Sequence, residues 1–360
     1  MGYCNCRFIN NTAVNYGGAI YWNGVSGTLS NSTFIGNTVK GIYPVGLGGA
    51  IYWDKPYGTI TSSSFINNTA SRGAGICWSA NYGTITSSTF TSNSAGRGGG
   101  ICLWATFCTI SDSNFTNNRA TLSGGAIHWD GPNNNLFNSI FINNTVKGDY
   151  NNTGLNGGAI FINNDNNTVS SSTFIGNFAT NNGGAIHMNS ANGIISSSIF
   201  TNNSAVDGGS VFWANNNGNL IGSIFTNNNA TRWGGAVRWT GSNGTLSSSI
   251  FNKNTAGAGG AVNWDALNGN IIDSTFINNT ATSTICAIFW NRAGSMTNCT
   301  FVNSKWDKSN GIFANRDLTI NGGNGIVDLF VSGTLSGISI VVLNNETYYY
   351  PPNTNINFTK

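Results

Sequence analysis

The residues of this sequence best placed to do chemistry are His128, Asp130 and Asp165. Two carboxylates about 5 to 9.5 Å apart can cleave a glycosidic bond, and a nearby imidazole can carry the proton. Such pairs are scarce here, because only 12 of 360 residues are acidic and 2 are histidine. The 7 cysteines show no C-x-x-C or other metal-like or redox spacing, so no metal site and no cofactor is expected. The Gly-Gly pairs precede no helix and therefore are not phosphate loops. No Ser-His-Asp or Cys-His arrangement follows from spacing. Whether any of these groups meet depends on the elements that carry them.

Those elements repeat. A Phe followed three residues later by Asn recurs from Phe8-Asn11 to Phe276-Asn279, at intervals of about 25 residues. Each unit holds three short β-runs separated by Gly, Asn and Ser, as in Gly48-Gly49-Ala50-Ile51-Tyr52-Trp53, Thr59-Ile60-Thr61-Ser62-Ser63 and Phe65-Ile66-Asn67-Asn68-Thr69-Ala70. None is long enough for a helix, and a propeller blade needs about 40 residues and four strands. The pattern predicts an all-β chain, a right-handed single-stranded parallel β-helix of about twelve coils with ~25 residues per coil. It fills residues 1–313; 314–344 are expected to be terminal coils or a cap, and 345–360 a linker or the start of a further β-domain. Met1 to Phe8 carry no secretion signal and already lie inside a repeat, so a longer parent chain is expected.

Positions that keep their character point inward. These are the Ile or Val of each Gly-Gly-Ala-Ile block, the Trp two residues later, the aliphatic five before each Phe, the Phe itself and the Ser two before it. The Asn residues Asn11, Asn37, Asn68, Asn93, Asn118, Asn144, Asn177, Asn203, Asn228, Asn254 and Asn279 predict a ladder of stacked amides at a turn, where Asn tolerates the left-handed conformation. The position between the core Ile and Trp reads Tyr21, Tyr52, Cys77, Cys102, His128, Phe161, His187, Phe212, Arg238 and Asn263, and is expected to face solvent. On that register Cys77 and Cys102 fall about 5 Å apart, within disulfide reach. Asp130 and Asp165 fall about 8 Å apart, and His187 about 10 Å from His128, too far to share a metal.

Charge is sparse and scattered: 8% of residues are charged and the net charge is +3, which gives no footprint for nucleic acid. No apolar run approaches the ~20 residues of a membrane-spanning helix.

The paired tetrapeptides Gly17-Gly18-Ala19-Ile20, Gly124-Gly125-Ala126-Ile127 and Gly183-Gly184-Ala185-Ile186, with Phe65-Ile-Asn-Asn68 and Phe276-Ile-Asn-Asn279, resemble the polymorphic outer-membrane protein repeat of chlamydial surface proteins. The Asn- and Thr-rich composition is similar to that of the adhesin-like proteins of methanogenic archaea. The resemblance spans roughly residues 3 to 313; Ile285-Cys286-Ala287-Ile288 departs from it by losing both glycines. It implies an extracellular or cell-surface β-helix that is not an enzyme and binds a glycan or protein of another cell. The competing class is a polysaccharide lyase or glycoside hydrolase of the same fold, in which His128, Asp130 and Asp165 would be the catalytic candidates.

Two units are longer than the rest. Both extra stretches begin Thr-Val-Lys-Gly and end Gly-Leu, at residues 38–47 and 145–155. Insertions in a solenoid often mark its binding face. Lys40, Tyr43, Lys147 and Tyr150 on the insertions, with Tyr21, Tyr52 and Phe161 on the outward column, are the expected binding residues.

Overall fold

The computed structural model describes residues 2–148, 154–284, 286–302, 312–314, 318–324, 329–331, 335–336, 339–343 and 346–350. The chain is a parallel β-solenoid, and among the described residues it has no helix. It forms two compact units, Met1–Ser190 and Ala191–Lys360.

In the first unit each coil contributes strands to three faces. The Trp face stacks strands from Ile20–Trp22 and Ile51–Trp53 down to Ile186–Met188. The Phe face has two short strands per coil, such as Thr59–Thr61 and Ser64–Ile66. The third face holds strands such as Thr69–Arg72, Ser94–Arg97 and Arg119–Ser123. Every coil pairs in parallel and in register with the next, Ile51 with Ile76 and Phe65 with Phe90. The second unit repeats this from Val211–Trp213 to Leu329–Val331 on the Trp face, and Leu318–Asn324 still pairs in parallel with Gly294–Val302. Ser339–Leu343 and Glu346–Tyr350 form an antiparallel hairpin.

The side-chain parity follows the strand period of two. Phe34, Phe65 and Phe90 are fully buried and stack with ring centroids 4.9 and 4.7 Å apart. Trp22, Trp53 and Trp78 form a second inner stack at 4.4 and 4.6 Å. The spacing is that of the backbone ladder, so identical rings on successive coils are held in offset van der Waals contact along the axis.

Two corners are closed by polar ladders. The amide of Asn68 receives no water, so its groups are satisfied internally. Its backbone N–H and Nδ2 both donate to Asn93 Oδ1, at 3.0 and 2.9 Å, and Nδ2 also donates to the Phe34 carbonyl at 3.1 Å. Asn37, Asn93 and Asn118 do the same one coil away, and Asn228 and Asn254 in the second unit. The expected assignment of the left-handed turn to these residues is corrected. Positive φ belongs to the residue before each of them, Asn67 at 53° or Lys253 at 55°, which turns the chain so that the ladder Asn points inward. The inner Ser accepts the next link: Ser63 N–H donates to Ser88 Oγ at 3.2 Å, and Ser63 Oγ donates to the Thr61 carbonyl at 2.9 Å.

Candidate functional site

On the Trp face of the first unit, outward side chains form the register Tyr21, Tyr52, Cys77, Cys102, His128, Phe161, His187. The expectation that this column is solvated holds at its first end and in part at Phe161, which is of intermediate burial. Tyr21 is 52% exposed and Tyr52 half-buried, whereas Cys77, Cys102 and His128 are fully buried and His187 nearly so. The cover comes from the ends of the third-face strands. Each ends in a residue just before a glycine of positive φ, such as Gly48, Gly73, Gly98 or Gly124, and that turn lays Leu47, Arg72, Arg97 and Ser123 alongside the column. Leu47 packs on Cys77 and Cys102, with Tyr52 and Trp104 against them.

The column and the third-face side chains laid along it make up one surface, the groove between the Trp face and the third face. At its first end Tyr16, Tyr21 and Tyr52 form an aromatic cluster, with centroids 5.0 to 6.1 Å apart. Beside it the Arg72 guanidinium lies 3.8 Å from the Tyr43 ring centroid and 5.5 Å from that of Trp104. Tyr43 comes from the first insertion, whose backbone is tied down by Gly46 N–H to the Asn15 carbonyl at 2.8 Å and by Tyr43 N–H to Ser71 Oγ at 3.3 Å. Asp54 pairs with Lys55 at 3.3 Å and accepts from Ser79 at 3.3 Å. Lys40 and Lys147 are exposed; Tyr150 lies outside the described residues. The shared Gly-Leu ends of the insertions take different registers. Leu47 bridges Tyr16 and Arg72 and faces the column, while Leu155 packs inward on Ala120 and Val146.

Farther along, a hydrogen-bonded chain closes on itself. Ser123 Oγ lies 2.8 Å from His128 Nδ1, and His128 Nε2 lies 2.9 Å from Asp130 Oδ2. Burial pushes the His128 pKa down against the pull of Asp130, so the ring is neutral. Burial also opposes ionisation of Asp130, but the His128 and Asn163 hydrogen bonds and nearby Arg97 outweigh it and hold the carboxyl below its ordinary value. The consistent assignment has the Ser123 hydroxyl donating to Nδ1 and Nε2–H donating to Asp130. A Ser-His-Asp relay is thus present where spacing had pointed to none, because the Gly124 turn folds the third-face strand end onto the Trp face. Its chemistry is that of a general base facing a hydroxyl, yet Ser123 is 4% exposed and His128 fully buried.

Asp165 sits exposed on a turn, its backbone carbonyl accepting from Asn133 N–H, and Asp130 Oδ1 bonds Asn163 at 3.2 Å. Phe161 has both ring faces covered, by His128 at 5.2 Å and His187 at 5.0 Å, so it offers no open face to a ligand. Cys77 and Cys102 stand opposite each other as free thiols, and burial next to Cys102 holds the Cys77 thiol well above its ordinary pKa. Among the described residues no three His, Cys, Asp or Glu side chains converge on a metal position, and no helix is long and apolar enough to cross a membrane.

In the second unit the corresponding surface pairs its arginines with aspartates. Asp207 receives Arg232 through Nε at 2.8 Å and Nη2 at 2.5 Å. Arg238 bonds Asp265 at 3.3 Å, Arg292 approaches it at 3.8 Å, and Trp233 lies between Arg232 and Arg238 at 4.2 and 3.8 Å.

Four segments, residues 5–21, 87–103, 112–128 and 171–189, match the family model of the Chlamydia polymorphic membrane protein repeat. The repeat is of polymorphic membrane protein type. Each of the four segments carries a residue of the outward column: Tyr21, Cys102, His128 and His187. No curated protein sequence matches the chain. Among solved structures, the tailspike protein of E. coli bacteriophage HK620, a mutant in complex with a hexasaccharide, is 14% identical over 88% of this chain and 69% of its own, with a TM-score of 0.52. PfbA, a surface adhesin of Streptococcus pneumoniae, is 13% identical over 86% and 88%, with a TM-score of 0.46. A PL6 family alginate lyase, AlyGC, is 9% identical over 98% of this chain and 53% of its own, with a TM-score of 0.40. At 14% identity the likeness to the tailspike is one of fold.

The sequence reading missed Arg72, Arg97, Trp104 and Ser123. A signal was there: Arg72 and Arg97 each directly precede the glycine that opens the next block.

Proposed function

We propose that this chain is a non-catalytic cell-surface solenoid that binds a glycan or protein of another cell through the groove of its first unit. The observation that carries this reading is the contrast within one face. The aromatic and cationic end, with Tyr21 52% and Tyr43 56% exposed, is open to a partner. Ser123 and His128 are buried and, with the part-buried Asp130, form a relay that satisfies itself. Half-exposed Tyr and Trp present apolar faces with polar tips, the combination that recognises sugar rings and protein surfaces alike. The polymorphic membrane protein type of the repeat supports placement at a cell surface. The tailspike of similar fold is in complex with a hexasaccharide, which supports a glycan as the partner.

The test sets binding beside turnover. Labelled protein should adhere to cells or to a glycan array, and the Tyr21→Ala, Tyr52→Ala double variant should adhere at least tenfold less. Incubation with polygalacturonate or alginate should produce neither unsaturated uronate nor new reducing ends. Turnover abolished by Asp130→Asn would make the chain an enzyme and overturn the proposal.

A further inference from the structure

Arg72 and Arg97 occupy the same register position on neighbouring third-face strands, with Cα atoms directly paired. Strand spacing puts them about 4.8 Å apart, and like charges directly opposite each other repel. Among the described residues neither guanidinium has a carboxylate within ion-pair distance, although Arg97 acts on the Asp130 carboxylate from beyond it. Arg97 Nε is buried and has no hydrogen-bond partner. In the second unit Arg232, Arg238 and Arg292 each have an Asp within 4 Å, although Arg238 Nε and Nη1 also lack a hydrogen-bond partner. What sets the first groove apart is a cationic pair with no carboxylate at ion-pair distance, set in an aromatic surround.

We propose that Arg72 and Arg97, with Tyr43, Tyr52 and Trp104 around them, bind an acidic glycan, one carrying carboxylate or sulfate groups on its sugar rings. The inference rests on the reading of the groove as a binding surface and names its ligand class. A planar guanidinium forks onto the two oxygens of a carboxylate or sulfate. Two of them side by side fit one such anion, which relieves their mutual repulsion. Stacking on Tyr43 and toward Trp104 holds the Arg72 plane while leaving its N–H edge free to donate. The C–H faces of the flanking sugars then lie on the open tyrosines. A neutral glycan would leave the charge uncompensated, and a nucleic acid would need a longer basic track than two residues.

The whole chain is titrated calorimetrically with polygalacturonate oligomers, with dextran sulfate and with neutral dextran, at low and high salt. The expected result is binding of polygalacturonate, dextran sulfate or both, weakened by salt, and no binding of dextran. Preference between the two acidic probes identifies carboxylate or sulfate as the recognised group. The Arg72→Gln, Arg97→Ser double variant should lose at least tenfold in affinity. It should fold as well as the parent, because Ser already stands at this register in Ser123 and the substitution removes a repulsion. A charge-matched control, Arg119→Thr with Lys253→Asn, takes the residues found at those repeat positions elsewhere and should bind within twofold of the parent. Equal loss in the control, or unchanged binding in the groove variant, overturns the proposal. Equal binding of dextran, or cell attachment by a chain that takes neither acidic probe, overturns it while leaving the binding reading intact. Failure of the parent to attach to any cell or glycan removes both.

Discussion

The buried ladder amide of Asn93 is valuable because both of its side-chain polar atoms are used. Replacing Asn93 by Ala takes away the acceptor for Asn68 N–H and Nδ2, and the donor to Phe65 O and Asn118 Oδ1. Stranding buried polar groups costs about 1–3 kcal/mol for each group not reached by water. Asn93→Ala is therefore expected to destabilise by roughly 2–4 kcal/mol in denaturant titrations, with Thr91→Ala beside it nearly neutral. His187 gives a pH effect of defined sign. Burial lowers its pKa from 6.5 to about 3, so between those values the unfolded chain binds more protons than the folded one. Stability rises with pH across that window and is lost as pH falls below about 6.5, by up to ~1.4 kcal/mol per unit. Lowered His128 adds in the same direction. His187→Phe, the residue at this register in Phe161, should flatten the dependence of the urea midpoint between pH 7 and 5. An unchanged slope would mean that the ring titrates freely.

Within a coil, sequence positions constrain one another across the turn. A Cβ on Gly58 would enter the Trp53 ring, and Gly83, Gly218 and Gly244 stand in the same relation to Trp78, Trp213 and Trp239. The glycine five residues after each of these Trp is thus required by the indole. Gly58→Ala should cost about 1–3 kcal/mol by forcing the ring off its stack, whereas Gly24→Ala, with Trp22 Nε1 at 3.5 Å, should be nearly silent in the same thermal melts. The first insertion is an element of another kind. Its interior contributes Tyr43 to the groove and little to the inner core, and shortening a loop of this length changes closure entropy by less than about 1 kcal/mol. Replacing residues 38–47 by the short Ser94–Arg97 type of connection should preserve the β-rich circular dichroism spectrum and reduce attachment in cell-binding assays. Full attachment would place the binding surface elsewhere.

At the scale of the molecule, stability in a solenoid is close to a sum over coils and their nearest neighbours. Lesions that share no partner should then act independently. Asn93→Ala is expected to speed hydrogen exchange in the coils that flank it, and Asn254→Ala in those around Asn228 and Asn279, with each pattern unchanged in the double variant. Exchange that rises throughout the chain in either single variant would show a cooperative unit larger than the coil.

The fold was legible because a repeat exposes its own core: columns such as Phe34, Phe65 and Phe90 keep their identity only if they face inward, and the period fixes the coil. Parity, however, distinguishes inward from outward and not outward from uncovered. Tyr21 and His128 share one register and one parity, yet one is half open and the other sealed. What separates them is a contact across the Gly-Gly turn, where the strand end carrying Leu47, Arg72, Arg97 or Ser123 settles on the neighbouring face. The sequence by itself determined the solenoid, its inner stacks and its polar ladders, since those are interactions of like with like at a fixed period. Only the tertiary structure decided which outward residues form a groove, which close into the Ser123-His128-Asp130 relay and which arginines have no carboxylate at ion-pair distance. Those depend on pairing unlike residues from different faces, and no periodicity records that.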